Sequence, residues 1–148
     1  MTDEEVDAFL AGRRVMSIAS VGPDGRPHLV AMWYGFLDGR PAFTTYGRSQ
    51  KVVNLRRDPR LTGLVEDGEV YEELRGVELI GHVDVVDDVD VVHAVGESVY
   101  ERYWAAQSGP LTDETRPLLH ATLRKRVALV LHVERTVSWD HRKLGGAY

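Results

Sequence analysis

The chain contains no cysteine. Disulfide staples, thiolate nucleophiles and cysteine-held metals are excluded with it, and the absence agrees with a cytoplasmic protein. The pattern of a secretory leader is not expected here either, since Met1-Thr2-Asp3-Glu4-Glu5 is acidic where such a segment begins basic and turns apolar. No apolar run approaches the ~18 residues of a membrane-spanning helix. The six histidines (His28, His82, His93, His120, His132 and His141) never fall at the tight spacing of a metal-binding motif. Glycine-rich nucleotide loops of the Gly-x-Gly-x-x-Gly and Gly-x-x-x-x-Gly-Lys kinds are absent, which removes Rossmann and P-loop chemistry. There is no Gly-x-Ser-x-Gly elbow, so a serine hydrolase has no support. Positive charge is scarce: 18 Lys and Arg face 23 Asp and Glu, for a net charge of −5 and a pI near 5.6. Nucleic acid is a poor partner for such a chain, because phosphate contacts dominate that affinity.

What is present is ordinary globular material. The 148 residues are 43% hydrophobic and 28% charged, and contain neither internal repeat nor linker. They predict one domain, residues 1–148, that buries roughly 68–70% of its unfolded surface. Where no acid–base pair or nucleophile shows itself, a bound cofactor is the natural carrier of chemistry.

The pattern of elements is mostly strand. Asp3 to Ala11 carries Val6, Phe9 and Leu10 at helical spacing. Arg13 to Val21 reads as a strand, Gly22-Pro23-Asp24-Gly25 as a turn, and Arg26 to Phe36 as a second strand. Asp38-Gly39 is a tight turn into a third strand, Arg40 to Tyr46. Leu61 to Glu66 and the alternating Gly76 to Val86 follow. Asp90 to Ala106 has a helical stripe, a shorter helix starts near Pro117, and Val127 to Val137 closes the series. Six strands joined mostly by hairpins, with helices at the margins, predict a mainly β (α+β) fold built on a six-stranded antiparallel barrel.

One basic stretch interrupts the acidic background. Between Phe43 and Arg60, a strand ends at Gly47 and a helix begins at Ser49, placed to accept a first-turn N–H. Asp58-Pro59 stops that helix. Arg48 and Lys51 flank its start, where free N–H groups and the positive dipole end already favour an anion. Arg48, Lys51, Arg56, Arg57 and Arg60 are opposed there only by Asp58. A charge run alone is usually a solvated helix face. A lysine in the first turn is different, since it works against the dipole unless something negative is bound.

Phe43-Thr44-Thr45, then Ser49-Gln50-Lys51, then Asn54-Leu55-Arg56-Arg57-Asp58-Pro59-Arg60 resembles the split-barrel flavoproteins similar to pyridoxamine-phosphate oxidase. The likeness is greatest to their small branch that uses FMN or the deazaflavin coenzyme F420, and it runs from about Val15 to Leu144. It implies a six-stranded antiparallel split β-barrel. By the same resemblance Ser49 and Lys51 grip a cofactor phosphate, with Arg48 beside them. Gln50 stands where FMN-binding members often carry arginine, a departure that favours the deazaflavin with its longer anionic tail, tracked by Arg48, Arg56, Arg57 and Arg60. Thr44 and Thr45 would meet polar atoms of the ring or its side chain. The strand holding His28, Met32 and Trp33 would lie beneath the ring, by one face or the other. Trp139 and Lys143 match a terminal motif, Glu134 to Leu144, that in the family reaches the partner subunit's site. The resemblance therefore implies a homodimer with shared cofactor sites and an F420-dependent oxidoreductase passing hydride to a small conjugated substrate. The alternatives are an FMN enzyme of the same fold, or a non-catalytic flavin-, F420- or haem-binding protein.

Overall fold

Residues 1–12 and 15–145 are described by a computed structural model. The N-terminal helix α1 (Asp3–Ala11) opens with a capping box: Thr2 Oγ1 accepts from the Glu5 N–H, and the Glu5 carboxylate accepts from the Thr2 N–H at 2.7 Å. Three strands follow, β1 (Met16–Val21), β2 (Pro27–Met32) and β3 (Gly35–Leu37), and then β4 (Arg40–Tyr46). The first two residues of the expected opening strand, Arg13 and Arg14, lie outside the described residues. Between β3 and β4, Asp38 (φ 48°) and Gly39 (φ 77°) both occupy the left-handed region, as a two-residue hairpin turn requires. The chain continues through α2 (Gln50–Arg57), β5 (Arg60–Asp67), β6 (Arg75–Val86), α3 (Val89–Tyr103), the single turn α4 (Ala105–Ser108), α5 (Arg116–Leu123) and β7 (Arg126–Asp140).

All seven strands join one antiparallel sheet in the order β2-β1-β5-β6-β7-β4-β3. Six strands were expected because Arg26 to Phe36 alternates without a visible interruption. The structure breaks that run at Trp33-Tyr34, and the two pieces become opposite edges of the sheet. A flat seven-stranded sheet would hold its edges about 29 Å apart, whereas the steps from Met32 to Gly35 reach at most about 11 Å. The sheet must therefore curl until its edges nearly meet. Tyr34 pins this corner from inside: its ring is fully buried, its hydroxyl donates to the Leu10 carbonyl at 2.7 Å, and its N–H points at the Tyr103 hydroxyl instead of a neighbouring strand. The result is a split barrel of α+β class.

Two cores follow from strand alternation. Inside the curl, Met16, Ile18, Phe43, Leu61, Val65, Val77, Leu79, Leu129 and Leu131 pack with Phe9 and Leu10 of α1 and with Val52 and Leu55 of α2. On the opposite face, Ala42, Ala128 and Val130 receive Val92 and Val95 of α3 and Leu123 of α5. Gly35 lets α3 approach closely, because a Cβ there would meet the Ser98 side chain that accepts the Phe36 N–H. Position 44 and position 45 on β4 therefore face different environments, and this sets up the site.

Candidate functional site

Thr45 is buried at the inner face of β4, one residue before the chain turns into α2. Lys51, in the first turn of α2, reaches back and donates from Nζ to Thr45 Oγ1 at 3.1 Å. Ser49 occupies the N-cap position with extended backbone, yet its hydroxyl caps no N–H. It lies 3.5 Å from Thr45 Oγ1 instead, so the helix N-terminus keeps its free donors. Gln50 turns along the helix and donates to Asn54 Oδ1 at 2.9 Å; Asn54 in turn donates to Ser20 Oγ at 3.2 Å, tying α2 to β1.

The second cation at this place comes from far along the chain. Arg126 begins β7 and pairs across the ladder with Tyr46. Its guanidinium stacks on the Tyr46 ring at 4.8 Å and donates from Nη1 to the Thr44 carbonyl at 3.3 Å, while its buried Nε finds no partner. Lys51 has its pKa held below the ordinary lysine value, first by burial and then by repulsion from Arg126. Lys51 and Arg126 thus disfavour each other's charge, with no carboxylate between them.

A cavity of about 760 Å³ opens beside them, lined by Tyr46, Gly47, Arg48, Asp87, Arg124, Lys125, Arg126 and Val127. The Gly47 N–H donates to the Lys125 carbonyl at 3.0 Å, extending the β4–β7 ladder into the two turns and bringing Arg48 to the same rim. The other basic residues of the stretch do not line the cavity themselves, although Arg56 holds Asp87 of its lining. Arg56 holds Asp87 through two bonds of 2.9 Å, Arg57 donates to the Val21 carbonyl, and Arg60 grips Asp58, whose pKa falls to about 2 through those bonds. These three do not form a track along the cavity.

The remaining sequence candidates separate into groups. Thr44 faces away from Thr45, on the side of Ala42 and Ala128, and contributes its carbonyl to Arg126. His28 and Met32 turn toward the barrel interior, with His28 opposite the buried Ser20; His28 Nδ1 is buried without a partner. Trp33 is 43% exposed at the barrel corner, stacked on Tyr103 at 4.8 Å and edge-on to Trp104 at 4.9 Å. Trp139 lies over Gly76, where any Cβ would collide with its ring, and Lys143 pairs with Glu5 at 2.5 Å. From Val127, beside Thr45, to Trp139 is roughly 40 Å of strand path. Within one chain, then, Thr45, Ser49, Lys51 and Arg48 come together with Arg126, while Trp139 and Lys143 stand at the far end of β7.

Arg126 and its neighbours escaped the sequence reading. The run Arg124-Lys125-Arg126 is a second basic cluster in an acidic chain and was a usable signal. Its place near Lys51 was not, because that depends on the pairing of β4 with β7.

A split barrel of this topology defines the class of fold, and sequence comparison identifies the family. Residues 2–140 match the model of the pyridoxamine 5'-phosphate oxidase family, and the chain belongs to that family. Among curated proteins none matches this chain. Among solved structures, a conserved hypothetical protein from Mycobacterium tuberculosis is 46% identical, with all of this chain and 90% of the other aligned at a TM-score of 0.92. An F420 reductase is 28% identical over 88% of this chain and 94% of its own, at a TM-score of 0.66. The haem storage protein HutZ of Vibrio cholerae shares the fold at 16% identity, a TM-score of 0.68 and 93% coverage of each chain. Among the described residues no helix is long and apolar enough to cross a membrane.

Proposed function

We propose that this protein is an oxidoreductase of the split-barrel family that uses coenzyme F420 and reduces or oxidises a small conjugated substrate. The observation that carries the reading is the Lys51–Arg126 pair, two cations without a carboxylate partner beside free helix N–H groups. The residues fit a phosphorylated cofactor: an ammonium, a guanidinium with an unpartnered buried Nε, and two hydroxyls within reach of one another. The 28% likeness to an F420 reductase over most of both chains supports the deazaflavin. When bound, such a cofactor supplies the hydride chemistry. The chain's own contribution is to hold the phosphate with Lys51 and Arg126, to fix the geometry of the bound ring, and to exclude water at the buried side of Thr45.

FMN is the second reading, favoured by a specific feature. Gln50 takes the place of an arginine, but Arg126 restores a second cation to the same spot, so a single phosphate is well served.

The same reading makes the protein a homodimer with shared sites. Leu29 is 67% exposed, and Val133 and Val137 are each 41% exposed. Trp139 and Lys143 lie too far along β7 to reach Lys51 of their own chain, so a shared site is completed by a second copy.

Absorbance spectra of the purified protein, followed by titration with FMN and with coenzyme F420, test this. The expected result is a colourless protein that binds coenzyme F420 more tightly than FMN. A protein that is yellow as isolated and binds FMN more tightly overturns the deazaflavin assignment, and a Soret band overturns both flavin readings.

A further inference from the structure

Away from Lys51, the outer face of β6 and β7 carries two histidines side by side. His82 and His132 are direct cross-strand partners. Their neighbours Val83 and Leu131 pack in the inner core, so strand alternation turns both imidazoles outward. The rings stack at 4.8 Å, within 2° of parallel. Each ring also has its own carboxylate. His82 Nδ1 donates to Glu134 Oε1 at 2.7 Å, and His132 Nε2 donates to Asp84 Oδ2 at 2.7 Å. Glu134 is available because it is the unpaired residue of a β-bulge, where Gly81 pairs with Val133 and Ile80 with Arg135. The bulge requires glycine at position 81, since a Cβ there would strike the His132 carbonyl.

A neutral imidazole that gives its N–H to a carboxylate keeps a lone pair on the other nitrogen. In His82 that nitrogen is Nε2, and in His132 it is Nδ1. Imidazoles oriented by carboxylates in this way are the donors that zinc, copper and nickel ions take. The local charge agrees. Two carboxylates flank the two rings, while Arg60, cross-strand from His82 on β5, is already bound to Asp58. The His82 and His132 side chains are 44% and 30% exposed, which gives the rings room to turn edge-on to one ion. Among the described residues no three His, Cys, Asp or Glu side chains form a cage, so the pair supplies two protein donors and water the rest. We propose that His82 and His132, oriented by Glu134 and Asp84, bind one divalent transition-metal ion per chain and clamp β6 to β7 beside the bulge. Magnesium is a poor fit, since it takes oxygen donors. The site is independent of the cofactor reading, because the imidazoles lie on the opposite face of the sheet from Thr45 and its partner Val127.

The test is calorimetric titration of the full chain with zinc chloride and, separately, magnesium chloride. The variants are His82→Gln, His132→Gln and the double variant Asp84→Asn/Glu134→Gln, with thermal melting in the absence of metal to check that each is folded. The wild type should bind one zinc ion per chain, with a melting temperature that climbs as zinc is added, and should show no saturable magnesium binding. The carboxylate variant should lose about 10- to 100-fold in zinc affinity. Each histidine variant should lose more, since a donor itself is gone. Imidazole nitrogen NMR of the wild type reads the site without any substitution: zinc should move the His82 and His132 signals together and leave those of the other stacked pair, His93 and His120, in place. No saturable zinc binding overturns the proposal, and so does zinc binding that survives either histidine variant. Equal binding of magnesium also overturns it, since the ion is then held by surface carboxylates alone. Undiminished affinity in the carboxylate variant removes the orienting role of Asp84 and Glu134 and refutes the site as proposed.

Discussion

Replacing Lys51 with methionine separates a binding role from a structural one, because the first moves affinity and the second moves stability. The ammonium makes one hydrogen bond, to Thr45 Oγ1 at 3.1 Å, and it is partly desolvated and faces Arg126. Methionine keeps the apolar stem packed and removes the charge. Thr45 Oγ1 retains Ser49 at 3.5 Å, so the hydroxyl is not stranded. The lost bond costs about 1 kcal/mol, and relief of the repulsion from Arg126 opposes that cost. For a chain of this size the melting temperature should move by less than about 2–4 °C, in either direction. Affinity should behave differently. A hydrogen bond to a charged phosphate contributes about 1.5–3 kcal/mol, so the dissociation constant should rise about 10- to 150-fold. Thermal melting of the free protein and calorimetric titration with FMN and coenzyme F420 read the two quantities independently. A fall in melting temperature beyond that range, with affinity for both cofactors unchanged, would show Lys51 to be a structural residue and place the phosphate elsewhere.

Three other outcomes are expected. Burial and Arg126 hold Lys51 below the ordinary pKa of 10.5, so its folded pKa lies under its unfolded one. Stability of the free protein should therefore rise with pH through the window below 10.5, while affinity for an anionic cofactor falls there, and Lys51→Arg should flatten the affinity profile. Gly76→Ala drives a methyl group into the Trp139 ring and should cost about 1–3 kcal/mol, with altered tryptophan fluorescence; if Trp139 serves a subunit interface, light scattering will also show a smaller mass. Arg102→Met removes donors to the carbonyls of Leu10, Ala11 and Gly12 and the stacking on Tyr34 and Phe36, and should cost roughly 2–4 kcal/mol. Amide exchange across Asp3–Ala11 should accelerate in that variant, and unchanged exchange would mean that α1 is held by its apolar face alone.

Several features were legible because they are local. Asp38-Gly39 made its turn since only left-handed backbone joins strands so tightly. The alternation of Val77, Leu79 and Val83 placed β6 against a core, and Lys51 was recognisable as a cation at a helix start. Each of these is decided within a few residues, by backbone sterics, side-chain period or the helix dipole. Tertiary structure decided what happens between distant segments. The corner at Trp33-Tyr34 breaks a continuous apolar alternation because Tyr34 finds its partners in α1 and α3 and not in a strand. Ser49 surrendered its expected capping bond to sit beside Thr45. Arg56 was drawn off by Asp87, 31 positions away, and Arg126 was delivered to the site by a contact with Thr44 spanning 82 positions. By itself the sequence determined most of the elements and marked a basic helix start, because short-range geometry and charge suffice for that. The curl of the sheet decided much of which cations are paired, since contacts across it engage Arg56 with Asp87 and bring Arg126 beside Thr44.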